Sequence, residues 1–123
     1  MVTTVEKIGQ DRIEANMTTF DNREREAEKK FEHDQELRFK ATARRNKLLG
    51  LWAAEKLGIK GGAAAEAYAK EVVVADFDKP GDSDVVAKVL GDFSAKGVAL
   101  DEHAIRLELE RLTPIARQQI MSE

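Results

Sequence analysis

A chain of 123 residues, 42% of them hydrophobic, has room for one domain with one core and is too apolar for full disorder. Charged residues make up 35%, and Ala, Glu, Lys, Leu and Arg dominate over two prolines, which favours long solvated helices over sheet. The lack of cysteine excludes disulfides and thiolate metal sites, no apolar run approaches a membrane span, and a net charge of −3 gives no general electrostatic case for nucleic acid.

Residues 1–16, MVTTVEKIGQDRIEAN, show no sustained period and no clear cap. They are expected to form a flexible extension, with Met17 able to serve as a second start. They also lack the basic start and apolar centre of a signal peptide, so the protein is expected to be soluble and cytoplasmic.

The first helix is expected to begin near Thr19 or Asp21 and to run to Leu57. Asp21 and Glu24 have the spacing of a capping box. The front of this helix, DNREREAEKKFEHDQ, is nearly all charge and helix formers. Pairs such as Glu26 and Lys30 place opposite charges four residues apart in the better orientation. Its apolar face is sparse, since Phe31, Leu37 and Phe39 make no continuous stripe. The rear turns abruptly apolar at Leu48, Leu49, Leu51, Trp52 and Ala53. Gly58 suits a left-handed helix end, with Ile59 as the apolar residue that often follows one.

A second helix is expected over about residues 63–78, with Ala64, Tyr68, Val72 and Ala75 on one face and Pro80 and Gly81 as its stop. Asp82 or Ser83 can cap a third helix to about Lys96, with Val86, Val89, Leu90 and Phe93 inward and Gly97 ending it. Asp101 can cap a fourth, from Glu102 to about Gln119, with a stripe of Ile105, Leu109, Leu112 and Ala116. Pro114 inside it predicts a kink or an early end. Four helical periods joined by short connections predict an all-α fold, a four-helix bundle with a long N-terminal helix.

Nothing in the chain has the pattern of a conventional active site. The histidines are His33 and His103, the serines sit in no nucleophile motif, and no metalloprotease, calcium-loop or phosphate-loop pattern occurs. His33, set among Asp34 and Glu36, reads as a surface residue of a charged helix. Residues 17–47 carry a net charge of +2 and residues 48–123 a net charge of −4. Lys40, Arg44, Arg45 and Lys47 gather within two turns near Trp52, and arginine forks suit phosphate. The same arginines can instead pair with helix carboxylates such as Glu36 and Glu55. The front helix has helical propensity but no core face of its own, which points to docking on a partner that supplies pockets for Phe20 and Phe31.

Three stretches carry a resemblance: FDNRE at residues 20–24, ELRFKATARRNKLLGLWAA at 36–54, and EAYAKEVV at 66–73. Through them the chain, from about Met17 to near its C terminus, resembles the zeta subunit of the F-type ATP synthase of alphaproteobacteria. The resemblance implies a small helical inhibitor of ATP hydrolysis that is not itself an enzyme. Its N-terminal segment would enter the interface of the alpha and beta subunits near the gamma subunit. Carried onto this chain, that segment is residues 17–34, anchored by a bundle at 35–123. The partner-binding residues would be Phe20, Asp21, Arg23, Glu24, Arg25, Lys29, Lys30 and Phe31. No cofactor is required, although the resemblance allows ADP or ATP as a ligand of the bundle, with Arg44, Arg45 and Trp52 as candidates. The free protein is expected to be a monomer that binds no nucleic acid, does not insert in the membrane, and works in the cytoplasm on the membrane-bound synthase.

Overall fold

The computed structural model describes the backbone of residues 2–76 and 81–123 and the side chains of residues 26–76 and 81–123. Four helices follow in order: α1 (Val2–Lys56), α2 (Gly62–Ala75), α3 (Ser83–Lys96) and α4 (Glu102–Ser122). No strand occurs among the described residues, so the all-α expectation holds. The chain divides into two units, Met1–Glu36 and Leu37–Glu123. The first consists of the front of α1; the second holds the rear of α1 with α2, α3 and α4.

The helix start expected near Thr19 or Asp21 is not observed: α1 begins at Val2 and includes most of the stretch taken as an extension. No proline interrupts residues 2–20, and Gly9 is their one glycine. Once a helix exists downstream, each added residue gains a hydrogen bond without a new nucleation cost. The Asp21–Glu24 spacing therefore lies inside a helix rather than at its entrance. The other end of α1 is as expected. Gly58 takes φ 76°, its N–H donates to Glu55 O at 3.1 Å, and Ile59 N–H donates to Ala54 O at 2.9 Å. This paired closure satisfies carbonyls that the helix leaves open, and it folds Ile59 onto the core.

The core lies in the second unit. Leu49, Ala53 and Ala54 of α1 are buried with Tyr68 and Val72 of α2, Val85, Val86, Val89 and Phe93 of α3, and Ile105, Leu109 and Leu112 of α4. All four residues of the expected α4 stripe are buried. Phe93 is fully enclosed, which alone stabilises the fold by about 2–3 kcal/mol. Trp52 meets it edge-on, with ring centroids 5.8 Å apart. On α1, Leu48 and Trp52 pack at the margin of the core rather than within it.

Helix α2 departs from expectation in phase and length. Ala64 is exposed and Ala75 is half-buried, while Ala65, Tyr68, Ala69 and Val72 face inward. The cause is a close approach of α1: a β-carbon built on Gly50 would lie 2.6 Å from Ala69 Cα. That contact centres the buried face of α2 on Ala69. The helix ends at Ala75, and Asp76 closes it through its N–H to Val73 O and Val74 O. The residues expected to finish it, Phe77 and Asp78, and its expected stop at Pro80 lie outside the described residues.

On α3, Val85 joins the expected inward residues and Leu90 is only half-buried. Asp82 precedes the helix without capping it by its side chain, because its carboxylate faces Arg45 instead. Gly97 ends α3, with Val98 N–H donating to Phe93 O at 2.8 Å. Asp101 does cap α4, accepting from Ala104 N–H at 2.9 Å. The early end expected at Pro114 does not occur; α4 continues to Ser122. Pro114 sits on the exposed side, as does Glu110 four residues earlier, so the carbonyl that loses its donor faces water.

Candidate functional site

The described part of the front segment is a row of charge with one large ring. Every side chain from residue 26 to residue 36 is exposed, Lys29 and Lys30 among them, and Phe31 is 65% exposed. A helix forms here because Ala, Glu and Lys favour it and oppositely charged pairs support it, not because a face is buried. An aromatic ring held in water on such a helix is available to a partner. Of the eight residues assigned to partner contact, Lys29, Lys30 and Phe31 are therefore on an open surface. The side chains of Phe20, Asp21, Arg23, Glu24 and Arg25 lie outside the described residues.

The three bundle candidates do not meet around one cavity. Arg44 donates to Gln119 Oε1 at 3.0 Å and pairs with the Glu123 carboxylate. Arg45 turns another way. Its Nη2 donates to Asp82 Oδ1 at 2.7 Å, and its Nε donates to Asn46 Oδ1 at 3.1 Å. Trp52 packs against Phe93. Asn46, between Arg45 and Lys47 in the cationic cluster, is fully buried. The signal was present in its spacing, since residues 46, 49, 50, 53 and 54 trace one face of a helix. Asn46 Nδ2 makes no well-formed hydrogen bond, and Asp84 Oδ2 beside α3 is likewise buried without one.

Around Arg45 the acids are unequal. Burial pushes the Asp76 carboxyl above its ordinary range, and the neighbouring Asp82 and Asp84 push it the same way. Arg45 and Asn46 pull against them without prevailing. A second polar group joins α2 to α3. Tyr68 Oη donates to Asp92 Oδ2 at 2.8 Å, and Lys88 Nζ lies 3.0 Å from the same carboxylate and 3.2 Å from Glu71. Burial, then the bond to Asp92, raises the Tyr68 phenol far above its ordinary value; the bond to Asp92 chiefly raises the Lys88 ammonium.

Between the rear of α1 and the end of α4 lies a cavity of about 370 Å³ lined by Arg38, Ala41, Thr42, Arg45, Thr113 and Arg117. Beside it, sharing Arg38, Ala41 and Arg117, is a slot of about 150 Å³ completed by Leu37, Ile120 and Met121. Neither feature was read from the sequence, because each joins α1 to the part of α4 beyond Pro114. His33 and His103 are both exposed, and among the described residues no His, Asp and Glu cluster could hold a metal ion. Nor is any described helix long and apolar enough to cross a membrane.

The sequence profile of a family described as ATPase inhibitor subunit zeta matches residues 17–119, leaving residues 1–16 outside. A solved structure described as "Solution NMR structure of the protein" is 51% identical, covers 70% of this chain and 96% of its own, and superposes with a TM-score of 0.62. No curated protein matches the chain.

Proposed function

Because the chain belongs to the ATPase inhibitor subunit zeta family, we propose that it restrains ATP hydrolysis by the F-type ATP synthase through insertion of residues 17–34. In this reading the segment enters the interface of the alpha and beta subunits near the gamma subunit, at the cytoplasmic side of the membrane-bound synthase. The mechanism is steric: a helix lodged there opposes closure of the catalytic interface and stalls the cycle. The protein supplies no chemistry of its own and acts as a monomer.

The observation that carries the reading is the exposed ring of Phe31, set among side chains that are all exposed from residue 26 to residue 36. Enclosing that ring in a partner pocket returns about 1–2 kcal/mol. Lys29 and Lys30 beside it add a charge pattern that a partner's acidic groups can read. The test is ATPase activity of purified synthase titrated with the full chain, with Phe31→Asp, and with Lys29→Glu/Lys30→Glu. Inhibition by the parent and its loss in the variants are expected; equal inhibition by all three would remove the insertion mechanism.

A second reading, an adenine-nucleotide sensor in the bundle, draws support from the cavity edged by Arg38, Arg45 and Arg117. Against it, Arg45 is already engaged by Asp82. ADP and ATP titrations followed by NMR separate the readings, since saturable shifts at Thr42, Arg45 and Thr113 favour sensing.

A further inference from the structure

Six arginines have described side chains. Arg44, Arg45, Arg106 and Arg111 are each paired with a carboxylate. Arg38 and Arg117 form no ion pair among the described residues, and both border the same slot. The slot is otherwise aliphatic: Leu37 and Ala41 from α1, Ile120 and Met121 from α4. Met121 is 78% exposed at its lip. An apolar recess of this size admits one leucine, isoleucine or phenylalanine side chain, and the two arginines bordering it carry charge that no described carboxylate neutralises.

We propose that the slot between α1 and α4 is a second docking site, which takes an acidic segment of a partner protein presenting one large apolar anchor between carboxylates. The anchor enters among Leu37, Ala41, Ile120 and Met121, and the carboxylates meet Arg38 and Arg117. Charge complementarity selects the occupant, because a basic segment would bring like charges together at both rims. A nucleotide fits less well: its base would place ring nitrogens and an amino group in a recess whose aliphatic walls offer them no partner, and unpaired buried polar groups oppose binding. This site rests on the proposed function, in that the partner is the same synthase gripped at a place other than the inserted helix.

The experiment measures binding of the full chain to the purified catalytic part of the synthase at low and moderate salt. It compares the parent with Arg117→Glu/Met121→Glu, both on α4 and outside the inserted segment, and with Arg111→Glu as a charge-reversal control. Both altered side chains are exposed, and circular dichroism checks that the helices persist. The expected result is at least about a tenfold loss of affinity for the double variant, a weaker salt dependence, and unchanged maximal inhibition at saturation, with the control close to the parent. A double variant that binds like the parent overturns the site while leaving inhibition intact. A parent that neither binds nor inhibits overturns the function itself, and the site with it. ATP that binds the free chain and is lost in the double variant assigns the slot to a nucleotide and also overturns the proposal.

Discussion

Glycine at position 50 can be tested directly, because helix propensity and packing predict opposite signs. Propensity alone says that Gly50→Ala stabilises α1 by about 1 kcal/mol. The structure says otherwise. The new β-carbon would stand 2.6 Å from Ala69 Cα, 3.1 Å from Ala69 Cβ and 3.3 Å from Val72 Cβ. The nearest of these is backbone, which cannot rotate away, so α1 and α2 must separate around Ala69 and Val72, both fully buried. Overpacking of this kind costs about 1–3 kcal/mol. Set against the propensity gain, the net change is a loss of up to about 2 kcal/mol. Gly91, inside α3, has nothing within 4 Å of its built β-carbon, so Gly91→Ala should gain about 0.5–1 kcal/mol. Urea unfolding followed by the fluorescence of Trp52, the lone tryptophan, reads both variants. A Gly50→Ala protein with a midpoint at or above the parent's would refute the close-approach argument.

Other outcomes follow from the polar contacts. Tyr68→Phe removes the donor to Asp92 and should cost about 1–2 kcal/mol in urea unfolding at pH 7. The folded state holds the Tyr68 proton and the Lys88 proton above their ordinary values of 10.0 and 10.5, so their contributions are full below about pH 10 and fade as pH rises further. The alkaline loss of stability should therefore be shallower in Tyr68→Phe. The Asp76 carboxyl is also raised, so its contribution is full below its ordinary 3.8 and is lost as pH rises through the folded value. Asp76→Asn should thus be more stable than the parent at pH 7 and little different at pH 3, and a less stable variant at pH 7 would reverse that sign. Asp101→Ala removes the side-chain cap of α4 and should cost about 1 kcal/mol, read by thermal unfolding.

Where the chain obeys a single local rule, the sequence suffices. The stripe from Ile105 to Ala116 is a clean helical period with an aspartate cap in front, and it is buried as read. Both glycine-closed helix ends are in place because a left-handed residue followed by an apolar one has few alternatives. Reading fails where a second element decides. Ala64 and Ala65 are chemically identical, and only the approach of Gly50 to Ala69 settles which faces in. Asp82 has the chemistry of a cap, but Arg45 on another helix claims its carboxylate. Asn46 stands between charged neighbours in the sequence, although its own angular position is that of the core. The candidate surface divides the same way. The openness of Phe31 follows from the missing apolar face around it, whereas the slot edged by Arg38 and Arg117 needs residues 79 apart in sequence to be brought together.

The proline that fails to halt α4 has a lasting effect on what this protein can afford to change. Its missing amide is offset by solvent, so the turns beyond it are tied to the core mainly through Ala116. Substitutions on the outward side of those last turns can alter how the surface recognises others while leaving the buried core undisturbed. Diversification among relatives should therefore gather at positions there that do not border the slot, such as Gln118, sooner than on the buried side of the preceding turns.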